Sequence, residues 1–222
     1  MVDSENILKA REMVMRMTLQ EYNVNIWPFY LRLENDFLKT LNYVEFSEDN
    51  FSTYSIEYEK QLLSICSEVD VLCKLLCKYV DSAKSPAKIN EYADILIQNS
   101  DITSLSVCFE RIGKVFTPFD GWTASDSPNW WKAYNKVKHE RTDGNNYKKG
   151  NLQNVFMALA GLFVLNRLYC KRITAGRLIQ EPSPKSQLFT MVGWRVCIPE
   201  GNGFVRVIET NGSMSLRWEH PQ

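Results

Sequence analysis

Apolar residues recur at helical spacing along most of the first 172 positions, and short alternating runs replace them only after Gly176. Over residues 23–46, Leu31, Leu33, Phe37, Leu38, Leu41 and Val44 suit an amphipathic helix with Pro28 in its first turn. The polar connector SEDNFSTYS leads into the longest pattern, about residues 53–80. There Ile56, Leu62, Leu63, Ile65, Cys66, Val69, Leu72, Cys73, Leu76, Cys77 and Val80 make a broad three-four stripe, which predicts a central core helix. A break at residues 81–85 precedes another helix start, with Pro86 in its first turn. The stretch SLSVCFERIGKVFTPFDGW is rich in β-branched and aromatic residues and ends in Pro118 and Asp120-Gly121, which predicts extended chain and a turn. A short helix is expected over residues 130–140, then the turn RTDGNNYKKG, then a second core helix over 151–172 with Asn151 as its N-cap. Beyond the linker QEPSPKSQ come LFTMV, WRVCI, FVRVI and SLRW, with hairpin signals at Asn202-Gly203 and Asn211-Gly212. The pattern predicts a mainly α fold: a helical body over 1–176, a linker over 177–187 and a small β meander over 188–222.

At 222 residues the chain can bury a full core as one large domain, or one domain with an appendage. Lys plus Arg and Asp plus Glu are both 26, so the formal net charge is zero. That argues against whole-surface attraction to nucleic acid or an anionic membrane and leaves room for a local basic patch. The start MVDSENILKAREMV carries acids before any apolar run, so no secretory signal is expected there. The longest apolar run, VFMALAGLFVL, is too short for a bilayer and predicts a buried helix. The expectation is a cytoplasmic protein with no membrane partner. Of six cysteines, Cys66, Cys73 and Cys77 fall near one helical face, and there is no CxxC pair. Reduced core thiols are expected, with no metal and no cofactor. GNG at 201–203 reads as a turn, and no GxSxG, Walker, HExxH or DFG-like set is present.

One stretch concentrates the chemistry. WWKAYNKVKHER, residues 130–141, gathers two tryptophans, several cations and His139; the chain's other histidine is His220. On a helix, Lys132, Asn135, Lys136 and His139 share a side, because separations of three, four and seven return to one face. A histidine can move protons at neutral pH, an amide can orient a neighbour, and lysines can neutralise phosphate. Trp130, Trp131 and Tyr134 are candidates to stack on unpaired bases, or alternatively to anchor the core. On the long helix, Glu57, Gln61, Ser64 and Glu68 make a polar stripe. It reads as a solvated face, or else as the source of a carboxylate that orients His139.

WKAYNKVKHER, followed after a polar turn by NLQNVFMALAGLFVLNRLY, resembles the signature end of HEPN-like domains. The resemblance covers roughly residues 25–175 and implies an all-helical bundle. Asn135 matches the family's motif asparagine and His139 its histidine, whereas the arginine that usually precedes the asparagine is replaced by Tyr134. The resemblance implies an RNA-binding protein and a metal-independent endoribonuclease of toxin–antitoxin, phage-defence or stress systems, working as a homodimer. His139 and Asn135 would then be catalytic, and Lys132, Lys136, Lys138 and Arg141 would hold RNA phosphate. Arginine's two-pronged donor geometry is not reproduced by tyrosine. The alternative is a noncatalytic interaction or regulatory module, with a partner from the same operon, in which Asn135 and His139 brace buried backbone groups.

Overall fold

The computed structural model describes residues 17–174 and 181–194, together with the backbone of three strands between positions 197 and 219. Helix α1 (Leu19–Asn25) opens with a reciprocal cap: the Thr18 hydroxyl accepts from the Glu21 amide, and the Glu21 carboxylate accepts from the Thr18 amide. Helix α2 (Trp27–Thr40) follows after the single residue Ile26, with Pro28 in its first turn. The helix expected over 23–46 is therefore two shorter ones. Pro28 has no N–H to donate four residues back, so a continuous ladder through this point is interrupted. At the other end the Thr40 hydroxyl donates to the Phe37 carbonyl at 2.7 Å, competing with the next turn.

Helix α3 (Ile56–Val80) is capped by Ser55, whose hydroxyl accepts from the Tyr58 amide at 3.1 Å. Helix α4 (Ile89–Asn99) starts three residues beyond Pro86, so that proline lies outside it. Its cap comes from within, where the Glu91 carboxylate accepts from the amides of Ala87 and Lys88. Strands β1 (Val107–Phe109) and β2 (Lys114–Phe116) pair antiparallel across Gly113, whose φ of +65° suits glycine. Helix α5 (Asn129–His139) and helix α6 (Leu152–Ile173) follow, and Asn151 caps α6 by accepting from the Asn154 amide at 3.0 Å.

Helices α3 and α6 run side by side in the same direction. Tyr54 bridges to Asn151 at one end, and the Tyr79 hydroxyl donates to the Arg172 carbonyl at 2.8 Å at the other. Helix α6 is long and apolar enough to pass for a membrane span, yet 83% of its apolar window is buried inside the protein. Two glycines permit close approach here. A Cβ on Gly150 would meet the Glu59 backbone at 2.8 Å, and one on Gly161 would meet the Trp130 ring at 3.0 Å.

Strand β3 (Phe189–Met191) pairs with β1, Phe189 opposite Phe109, giving the sheet order β2-β1-β3. The run LFTMV therefore joins the helical body and not the meander. The reason is apolar: Leu188 and Phe189 are each 1% exposed against the aromatic cluster around Phe156. The chain leading to β3 is fastened to α2. The Trp27 indole donates to the Pro184 carbonyl at 2.7 Å, and the buried Glu34 carboxylate accepts from the amides of Gln187 (3.0 Å) and Leu188 (3.2 Å). It also accepts from the hydroxyls of Tyr30 (2.8 Å) and Ser186. Strands β4 (Cys197–Glu200), β5 (Gly203–Thr210) and β6 (Ser213–Glu219) form a separate antiparallel sheet in that order. Asn202, Asn211 and Gly212 of the expected hairpin signals lie outside the described residues, as does His220.

Cys66, Cys73 and Cys77 are buried in the core face of α3. Burial raises all three thiols, Cys77 to about 11, and Cys170 likewise to about 11, so they stay protonated at neutral pH. Among the described residues no cluster of three His, Cys, Asp or Glu is placed to hold a metal. The polar stripe on α3 is only partly solvated. Glu57 and Ser64 are exposed, but Glu68 is half-buried, and burial raises its carboxyl. Gln61 is 4% exposed and donates to the Asp36 carbonyl, because α2 crosses α3 there.

A candidate anion-binding groove

Helix α5 has two unlike faces. Trp130, Ala133 and Val137 recur at core spacing and are buried, while Lys132, Asn135, Lys136 and His139 are exposed. Trp130 belongs to the core: it is 2% exposed, its indole donates to the Pro118 carbonyl at 2.7 Å, and its ring meets Phe119 edge-on. That removes Trp130 from the stacking candidates. Trp131 and Tyr134 are each 7% exposed, with ring centres 4.9 Å apart, and offer only their margins to solvent.

Those margins line an open groove of about 730 Å³ above α3. Asn135 and His139 open into it together, beside Lys132 and Lys138. The side chains of Asn135 and His139 make no hydrogen bond or ion pair to another described residue, and both residues are exposed. An internal brace needs the opposite arrangement, buried side chains with bonded polar atoms, so the exposure of these two does not support that reading. Lys136 and Arg141 stand apart from the groove lining. Lys136 pairs with Glu140 at 2.6 Å, and the Arg141 guanidinium lies 3.5 Å from the Glu59 carboxylate.

The remaining walls carry no signal in the sequence. Ser67 and Asp70 of α3, Lys88 and Asn90 at the start of α4, and Asp126 also line the groove. These residues are distant from His139 along the chain, and no local pattern marks them as its neighbours. The α3 acid at the groove is thus Asp70, beyond the stripe that was the expected source of an orienting carboxylate.

The charges decide the sign of a ligand. Asp70 is taken up by Lys74 (2.5 Å) and the Tyr92 hydroxyl (2.6 Å); Asp126 is taken up by Lys132 (2.6 Å). Burial, followed by the bond to Asp70, raises Tyr92 well above the ordinary phenol range, so that hydroxyl stays a donor. Lys88 and Lys138 pair with no described acid, and the Lys138 ammonium stands 5.3 Å from the Tyr134 ring centre. Contact with Tyr134 raises the Lys138 pKa, so it is charged at neutral pH. The lining acids are neutralised and these two cations are not. Such a balance of charge would suit an anion that also carries a flat or apolar part.

No family model, curated protein or solved structure matches this chain.

Proposed function

We propose that the chain is a HEPN-like RNA-binding protein whose groove holds a single-stranded segment by its phosphates. The observation that carries this is the shared opening of Asn135 and His139 into one groove with Lys88, Lys132 and Lys138. The order of elements adds support: a short helix ends at the motif histidine, a polar turn follows, and a long apolar helix comes next. With zero net charge overall, attraction would come from this local patch and weaken steeply with salt.

A second reading, slow metal-independent cleavage, is favoured by the exposed and unbonded imidazole. A 2'-hydroxyl would attack the adjacent phosphorus as the bond to the 5'-oxygen breaks, with His139 moving a proton in that exchange. Lys138, seated on Tyr134, would supply the cation that the family draws from arginine. A lysine is a point charge without the arginine fork, so cleavage is expected to be slow. Homodimerisation, a role in bacterial stress or phage defence and an operon partner belong to the same proposal and rest on the resemblance, and a cytoplasmic setting is proposed from the sequence reading of the cysteines as reduced core thiols.

Purified protein incubated with mixed RNA and a chelator tests the second reading. Wild type is expected to cleave slowly, and His139→Ala to be slower by about a hundredfold. Equal cleavage by both proteins removes His139 from the chemistry. Binding without cleavage in wild type confines the groove to RNA retention.

A further inference from the structure

We infer that Tyr54, Tyr147 and Lys148 form a second subsite, which stacks a nucleobase of the strand as it leaves the groove past His139. This rests on the RNA reading and assigns residues that the groove does not include. Tyr54 is 45% exposed, and its ring meets that of Tyr147 edge-on at 5.6 Å. The Lys148 ammonium lies 5.7 Å from one ring centre and 5.9 Å from the other. Ile56 beside them is 77% exposed. An exposed ring beside a half-buried one, with a cation near both, presents what a base and its phosphate need, a π face and a positive charge.

Three features fit this cluster for a ligand. Its backbone is held firmly: the Leu152 amide donates to the Thr53 carbonyl at 2.9 Å, the Gly150 amide to the Tyr147 carbonyl at 3.0 Å, and Tyr54 bridges to Asn151. Its backbone is tied to the end of α5 that carries His139, because the Tyr147 amide donates to the Arg141 carbonyl at 3.1 Å, two residues beyond His139. At under about 4 Å per residue that step is within one or two nucleotides' reach. Finally, nearby acids are already engaged. Glu57 pairs with Lys60, Glu59 with Arg141 and Glu140 with Lys136, while Lys148 and Lys149 pair with no described acid, Asp143 of their own turn included.

The rings could serve only to clasp the turn onto the start of α3, and the test separates that role. Fluorescence anisotropy would compare two labelled strands of about twelve nucleotides, one of oligouridine and one with an abasic sugar at every position. Tyr54→Leu/Tyr147→Leu keeps apolar packing but removes the π faces. It is expected to weaken the base-bearing strand about tenfold and leave the abasic strand unchanged, and Tyr54→Phe/Tyr147→Phe is expected to bind like wild type. Equal loss on both strands, or loss on neither, overturns the subsite. Lys88→Ala/Lys138→Ala reports on the groove separately and should weaken both strands. If that variant binds like wild type while the leucine pair loses affinity, the groove reading falls and the subsite stands. If wild type binds neither strand, both fall.

Discussion

Phe156→Ala is expected to cost about 4 kcal/mol of unfolding free energy, seen as a lower denaturant midpoint at unchanged slope. The size follows from position. Phe156 is 1% exposed, and its ring centre lies 4.5 Å from Phe46, 4.7 Å from Phe116, and 5.3 Å from both Phe109 and Phe189. This one side chain of α6 therefore ties together the chain after α2 and all three strands of the body sheet. Truncation leaves a cavity lined by rings that are anchored on separate elements and cannot collapse together. Phe156→Leu fills part of that space and should be clearly less damaging. A loss under about 1.5 kcal/mol for the alanine variant would mean that the cluster is not packed as described.

Glu34→Ala is the second large effect, expected at about 3 kcal/mol, and it acts through hydrogen bonds. The carboxylate is 1% exposed and accepts from two backbone amides and two hydroxyls. Each amide left without an acceptor in that buried place costs about 1–3 kcal/mol. Hydrogen exchange should show where the effect is concentrated. The amides of Gln187 and Leu188 should lose more of their protection than those in the middle of α3. Glu34→Gln keeps an oxygen for Tyr30, Ser186 and the Leu188 amide but sets its NH2 against the Gln187 amide, so it should recover only part of the stability. Unchanged exchange at Gln187 and Leu188 would show that the chain before β3 is held by something else.

The two long helices were legible because their periodicity runs over many turns, and Asn151 because a cap needs only its own side chain and the next amides. Short-range competition decided what was misread. Pro28 sits in the first turn of a helix, as expected, but its missing N–H also divides the segment before it. Pro86 looked like a helix start, yet Glu91 supplies the cap from inside α4. LFTMV has the alternation of a meander strand, and only the distant Glu34 and Phe109 direct it to the body.

The site divided in the same way. Helical phase placed Lys132, Asn135, Lys136 and His139 on one face; Lys132, Asn135 and His139 line the groove, whereas Lys136 is taken up by Glu140 outside it. The same phase assigns Trp130 to the core with Ala133 and Val137, a signal that the basic composition of the stretch obscured. Lys88 and Asp70 come from other helices, and only tertiary packing brings them to the groove.

The salt dependence of single-stranded RNA binding tests the central claim most directly, comparing wild type with Lys88→Ala/Lys138→Ala, which removes the two groove cations that no described acid takes up. Wild type should bind, and the slope of log affinity against log salt should become shallower by about 1.4 in the variant, roughly 0.7 for each phosphate no longer neutralised. Wild type that does not bind RNA, or a variant whose slope and affinity match it, would contradict the assignment of this groove to RNA.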